Sequence, residues 1–208
     1  MKKYLLLALL PMLAACLTPN VAVNPRADFG TIKRVAVLPF SGPKGDLAAD
    51  VLTQSLLEHG ADVIERQRLD AVMREQSLST SGSFDPTTAK QLGKLLGVDA
   101  LFVGTVAEST PQTSYLVSQS ANPETNVTQV NGGSVYSGGT VAGMPNTQLL
   151  NTTANVSLLS RMVDVQTGAV LWSASMSYEG FDIVSAMTGI TDAFVKSLEP
   201  IWPALYKR

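Results

Sequence analysis

The chain has 208 residues, a formal net charge of −2, one cysteine and one histidine. This length allows one domain with a substantial core, and the near-neutral charge gives no electrostatic reason to expect a nucleic-acid partner. A single cysteine excludes an intrachain disulfide and a metal cluster built from cysteines. We therefore expect a protein without nucleic acid, metal or cofactor.

The first residues predict an export signal. Lys2 and Lys3 precede an apolar run, Tyr4–Leu13, that is too short to cross a bilayer as a permanent helix. The run ends in the letters LAAC at Cys16, which resemble the lipobox of bacterial lipoproteins. The resemblance implies cleavage before Cys16, lipid on its thiol and, because Leu17 follows instead of aspartate, an outer-membrane location facing the periplasm. The alternative is an ordinary signal peptide with an incidental cysteine.

These features predict three regions: residues 1–15 are a signal peptide, 16–30 a lipidated tether and 31–208 one domain. Thr18–Gly30 contains prolines and asparagines and lacks periodicity, which is typical of a linker. The domain is predicted to be α/β: a single layered domain with a mixed central sheet flanked by helices, an antiparallel hairpin in its C-terminal part and a closing helix.

The first half of the domain alternates between strand and helix. Its centre is Gly97–Ala107, a continuous apolar and β-branched run that suits a strand covered on both faces. His59 falls in the last turn of a helix, where it suits the helix dipole and is assigned no chemistry. The other predicted elements are a strand at Ile32–Phe40, a helix capped by Asp46 and ending at Gly60, a short strand at Asp62–Glu65, a helix at Arg66–Gln76, a loop at Ser77–Phe84, and a helix opened by Asp85 and Pro86 that buries Ala89, Leu92, Leu95 and Leu96.

Residues 108–151 form a predicted insertion. Thr125–Ser160 contains no Asp, Glu, Lys or Arg, and Asn131–Gly143 is rich in glycine and serine. A membrane hairpin needs about ten residues per strand with alternate apolar residues, and here the apolar residues are sparse. The insertion is either a polar loop or a hairpin.

The C-terminal part predicts paired strands and a helix. Thr153–Val165 and the cleanly alternating Val170–Tyr178 flank a turn at residues 166–168. A helix over Asp182–Leu198 follows, and Trp172 is expected to be a core or interface anchor. Trp202, beyond that helix, either docks on the domain or contacts a neighbour or the membrane surface.

Four segments in this order resemble the CsgG family of outer-membrane lipoproteins. They are VAVLPF (35–40), VIERQRLDAVMREQ (63–76), AKQLGKLLGVDALFVGTV (89–106) and MVDVQTGAVLWSAS (162–175). In the curli secretion channel of that family, periplasmic α/β domains form a ring and each subunit contributes two hairpins to a shared membrane pore. The resemblance implies a homo-oligomer, but Tyr178 leads almost directly into Asp182, so the second hairpin has no counterpart here.

The residues do not predict an enzyme, because no acid, base and nucleophile occur as a cluster. Two functions remain. The protein is either an oligomeric component in secretion or assembly of extracellular fibre or adhesin subunits, or a tethered module without a pore that docks on or activates a periplasmic partner such as a cell-wall synthase or a flagellar or other envelope machine.

Overall fold

The computed structural model describes residues 18–64, 86–119, 125–130 and 147–206. These residues contain three α-helices, two short 3-10 helices and nine strands. The helices are α1 Gly45–Glu58, α2 Pro86–Leu96 and α3 Ile183–Leu198, and the 3-10 helices are Phe29–Thr31 and Pro203–Tyr206. The strands are β1 Asn20–Val23, β2 Arg34–Val37, β3 Asp62–Val63, β4 Ala100–Thr110, β5 Ser114–Gln119, β6 Thr125–Val130, β7 Thr147–Asn151, β8 Ala154–Asp164 and β9 Val170–Gly180.

A mixed six-stranded sheet organises the domain, in the order β1-β9-β8-β4-β2-β3. Strand β2 pairs parallel with both β3 and β4, whereas β8 pairs antiparallel with both β4 and β9, and β1 pairs antiparallel with β9. Helix α3 follows β9 and packs on the sheet beside α1. This arrangement confirms the predicted α/β fold with its C-terminal hairpin and closing helix.

Strand β4 is covered on both faces, as its sequence predicts. Phe102 belongs to the core under α1 and α3, and Leu101 belongs to a second core on the opposite face. Asp99, at the start of the strand, accepts hydrogen bonds from the backbone N–H groups of Lys33 (2.8 Å) and Arg34 (3.0 Å). The carboxylate therefore joins the beginnings of the two neighbouring parallel strands.

Four aromatic rings fill the core between the sheet and the helices. Phe102 contacts Trp172 and Trp202 at centroid distances of 6.2 and 6.3 Å, and Trp172 contacts Phe194 at 5.8 Å. Trp202 is fully buried, and its indole N–H donates to the carbonyl of Ile32 at 2.9 Å. Trp172 is thus a core residue, and Trp202 docks on its own domain.

The described helix ends agree with the sequence except at the N-terminus of α1, and Asp85, the predicted cap of α2, lies outside the described residues. Gly60 and Gly97 adopt positive φ just after α1 and α2, and Asp182 forms a capping box with Ser185 at the start of α3. The prediction that Asp46 caps α1 is wrong: the N-cap is Lys44 in a left-handed conformation, and Asp46 lies inside the first turn.

Three other expectations differ from the structure. Asn20–Val23, within the expected tether, is an edge strand of the main sheet. Leu95, expected to be buried, is exposed. Residues 114–151 contain a separate three-stranded sheet in the order β6-β5-β7, so the insertion carries more strand structure than either a loop or a single hairpin. The helix predicted at Arg66–Gln76 and the loop after it lie outside the described residues.

Candidate functional site

Strand directions define two ends of the domain. Strand β4 finishes where β8 begins, and Ala154 at the start of β8 pairs with Gly180 at the finish of β9. The chain leaves the main sheet at Thr110 to form β5–β7 and returns at Ala154. We call this the insertion end.

A groove of about 570 Å³ lies where β1 and β9 meet helix α3. We call it the edge groove, because β1 is an outer strand of the sheet. Its lining residues are Thr18, Pro19, Val21, Met176, Tyr178, Gly189, Asp192, Ala193, Lys196 and Ser197. Gly189 brings α3 close to the sheet, since a Cβ at this position would be 3.0 Å from the ring of Tyr178.

One rim of the edge groove is charged. The ammonium group of Lys196 donates to the carboxylate of Asp192 at 2.7 Å. This hydrogen bond, together with the negative charges of Asp192 and Glu199, raises the pKa of Lys196 above its ordinary value. Lys196 is therefore cationic at neutral pH, which suits attraction of an anion better than nucleophilic attack.

His59 connects this rim to helix α1. Its Nδ1–H donates to the carbonyl of Ser55 at 2.8 Å, and its Nε2 lies 3.5 Å from Glu199 and 3.9 Å from Asp192. His59 is the C-cap of α1, one residue after the helix, and the contacts of its ring link α1 to α3. These contacts give His59 a structural role.

The hydroxyl of Ser197 is also committed to structure. It donates to the carbonyl of Phe194 at 2.7 Å and accepts from the indole N–H of Trp172 at 3.2 Å. A serine that acts as a nucleophile instead needs a base within hydrogen-bond distance. The edge groove thus offers an apolar floor, a charged rim and an open strand edge, a combination suited to binding.

Cys16, the predicted lipid-attachment residue, lies outside the described residues, two positions before Thr18. Within the described ranges, no three His, Asp or Glu side chains form a group that could hold a metal ion. No helix among them combines the length and the apolar character needed to cross a bilayer. The edge groove could not be predicted from local patterns, because its strand β1 has only four residues and is flanked by Pro19 and Pro25.

The fold and the edge groove define a single-domain α/β protein whose described surfaces are suited to binding. The family model for the curli production assembly/transport component CsgG matches residues 26–194. The chain therefore belongs to the CsgG family. No curated protein matches it.

Several solved structures resemble the chain at low identity. The PelC dodecamer from Paraburkholderia phytofirmans is 17% identical, with 89% of this chain and 96% of that chain covered and a TM-score of 0.42. Lipoprotein GNA1162 from Neisseria meningitidis is 17% identical, with 79% and 94% covered and a TM-score of 0.45. The LpoB C-terminal domain from Escherichia coli is 14% identical, with 70% and 81% covered and a TM-score of 0.39. Likeness at this level carries no inference about function.

Proposed function

We propose that this protein is an outer-membrane lipoprotein that acts as an oligomeric component in the secretion or assembly of extracellular fibre or adhesin subunits. The observation that carries the proposal is the match of the CsgG family model to residues 26–194. The lipobox-like sequence before Cys16 supplies the anchor, and Leu17 favours the outer membrane. The domain faces the periplasm.

The insertion contributes a second sheet of three strands, in the order β6-β5-β7, and this sheet is the surface that we assign to docking of export components. In this proposal the protein binds and positions export components at the membrane without itself forming the passage.

A second candidate function is activation of a periplasmic partner, such as a cell-wall synthase or a flagellar or other envelope machine. The edge groove favours it, because an exposed strand next to an apolar groove can accept an extended peptide from another protein. The two candidates differ in phenotype. Deletion of the gene abolishes display of fibre subunits in the first and leaves display intact but lowers the partner's activity in the second.

Lipid anchoring is tested with a matched pair of variants. Cys16→Ser removes the thiol that would carry lipid, so we expect unprocessed or soluble periplasmic protein. Leu17→Asp keeps the thiol, so we expect acylated protein retained at the inner membrane. Membrane fractionation and mass spectrometry of the mature N-terminus give the readout. Cys16→Ser protein that still fractionates with the outer membrane contradicts the proposed anchor.

Assembly and pore formation are tested on detergent-extracted lipidated protein. Light scattering should give a mass several times that of one chain, and reconstituted vesicles should retain a small trapped dye. A mass equal to one chain contradicts the oligomer. Rapid dye release contradicts the docking role and supports a pore.

A further inference from the structure

We propose that the insertion end of the domain lies against the membrane surface, with Phe181 and Val184 inserted among the lipid headgroups. This inference rests on the proposed lipid anchor at Cys16. It adds the orientation of the domain and the two side chains that hold it.

Phe181 lies on the connection between β9 and α3, and Val184 lies in the first turn of α3; both are exposed apolar side chains. Phe181 is 69% exposed and Val184 is 50% exposed. The connection is ordered by the capping box, in which the N–H of Ser185 donates to Asp182 at 2.7 Å and the N–H of Asp182 donates to Ser185 at 3.0 Å. The backbone that carries these two side chains is therefore held in one conformation.

The path of the N-terminal segment brings the anchor to the same end. Strand β1 runs antiparallel to β9, with Val23 opposite Trp172 and Asn20 opposite Ser175. The chain before Asn20 thus continues toward Gly180, and Thr18 lines the edge groove together with Tyr178. Cys16 lies two positions before Thr18, a span of at most about 7 Å. Lipid on Cys16 would hold the insertion end close to the bilayer.

A single exposed apolar residue is common on soluble proteins and needs no explanation. Here the two side chains are three residues apart, the larger is aromatic, and both lie at the end where the anchored segment begins. Aromatic and aliphatic side chains partition favourably into the headgroup region. A lipid surface therefore fits this position better than a protein partner whose location nothing else indicates.

Leu57 provides a matched control at the opposite end. It is 50% exposed, the same as Val184. It lies near the C-terminus of α1, where His59 contacts Glu199 just beyond α3. Helix α3 has 16 residues and a length of about 24 Å, so Leu57 lies roughly that far from Val184 along the helix.

The experiment measures which of these positions contacts lipid. The chain has one cysteine, and the proposed acylation occupies its thiol, so a cysteine introduced at position 184 or 57 can be labelled selectively. Lipidated Val184→Cys and Leu57→Cys proteins carry a bimane label in vesicles of phosphatidylethanolamine and phosphatidylglycerol. The vesicles include a phosphatidylcholine with a nitroxide near the headgroup end of its acyl chain, which quenches a nearby bimane.

We expect the label at position 184 to be quenched several-fold more strongly than the label at 57. Adding Phe181→Ser to the Val184→Cys protein should reduce that quenching, because the aromatic side chain no longer enters the headgroup region. Emission from the buried Trp172 and Trp202 confirms that each variant is folded.

Each remaining result overturns the inference in a different way. Equal quenching at 184 and 57 on protein that floats with the vesicles contradicts the orientation and leaves the anchor intact. A blue shift at 184 without quenching by the lipid nitroxide shows that protein covers this end. Protein that does not float contradicts the lipid anchor, and the inference falls with it.

Discussion

Strand β1 shortens the predicted tether, and two single proline substitutions in this strand can test its pairing with β9. The N–H of Asn24 donates to the carbonyl of Leu171 at 2.8 Å. In an antiparallel pair, residues two apart point their N–H groups to the same side, so the N–H of Ala22 also faces β9. The N–H of Val23 faces away from β9. Ala22→Pro therefore removes a hydrogen bond to β9, whereas Val23→Pro removes none.

The expected effect of Ala22→Pro is a local opening of β1. One lost hydrogen bond costs about 0.5–1.5 kcal/mol, and a proline ring pointing toward β9 adds a steric cost. A change of about 1 kcal/mol raises the opening equilibrium roughly fivefold. We expect the amides of Asn20 and Asn24 to exchange hydrogen at least about fivefold faster in Ala22→Pro and at nearly the wild-type rate in Val23→Pro.

Hydrogen exchange with fragment separation, or NMR, measures these rates. Equal acceleration in both variants, or exchange of residues 20–24 in the wild type at the rate of an unfolded peptide, refutes the edge strand. The outcome matters for function. A free tether from Cys16 to Thr31 could extend about 50 Å, whereas the two residues before Thr18 allow about 7 Å.

Three other predictions concern stability. Phe194→Ala removes a fully buried ring from the aromatic cluster and should lower the free energy of urea unfolding by about 3–5 kcal/mol. Phe181→Ala, at the surface, should change that free energy by less than about 0.5 kcal/mol. Equal effects of the two variants would contradict the burial of Phe194 in the aromatic cluster. Asp182→Ala removes the cap of α3 and should cost about 1 kcal/mol, seen as a Tm lower by about 2–4 °C, and an unchanged Tm would contradict the capping box. Because Asp192 raises the pKa of Lys196, the ion pair stabilises the fold at pH 7 and is lost only as the pH rises through that raised pKa. Lys196→Met should therefore lower Tm slightly at pH 7 and match the wild type at strongly alkaline pH; a difference that grows with pH would contradict this assignment.

Local patterns were sufficient to predict the longer elements of the fold. The continuous apolar run of β4 indicated a strand buried on both faces, whereas β9 alternates with a period of two and α3 has an apolar stripe with a period of 3.6. Glycines at 60 and 97 marked helix ends, because a residue with positive φ there favours glycine. The CsgG family was indicated separately, by the resemblance of four segments in their order along the chain, and the match of the family model to residues 26–194 confirms it.

The tertiary structure decided what short or ambiguous segments do. Asn20–Val23 has four residues next to proline, too few to show a period, and it becomes a strand only because β9 offers a free edge. The exposure of Phe181 and Val184, and their position at the insertion end, likewise depend on contacts between residues far apart in the chain. Sequence periodicity indicates which side of a strand or helix is buried. Packing across the whole sheet decides which strands become neighbours, and it therefore decides that β1 starts, and β9 finishes, toward the insertion end.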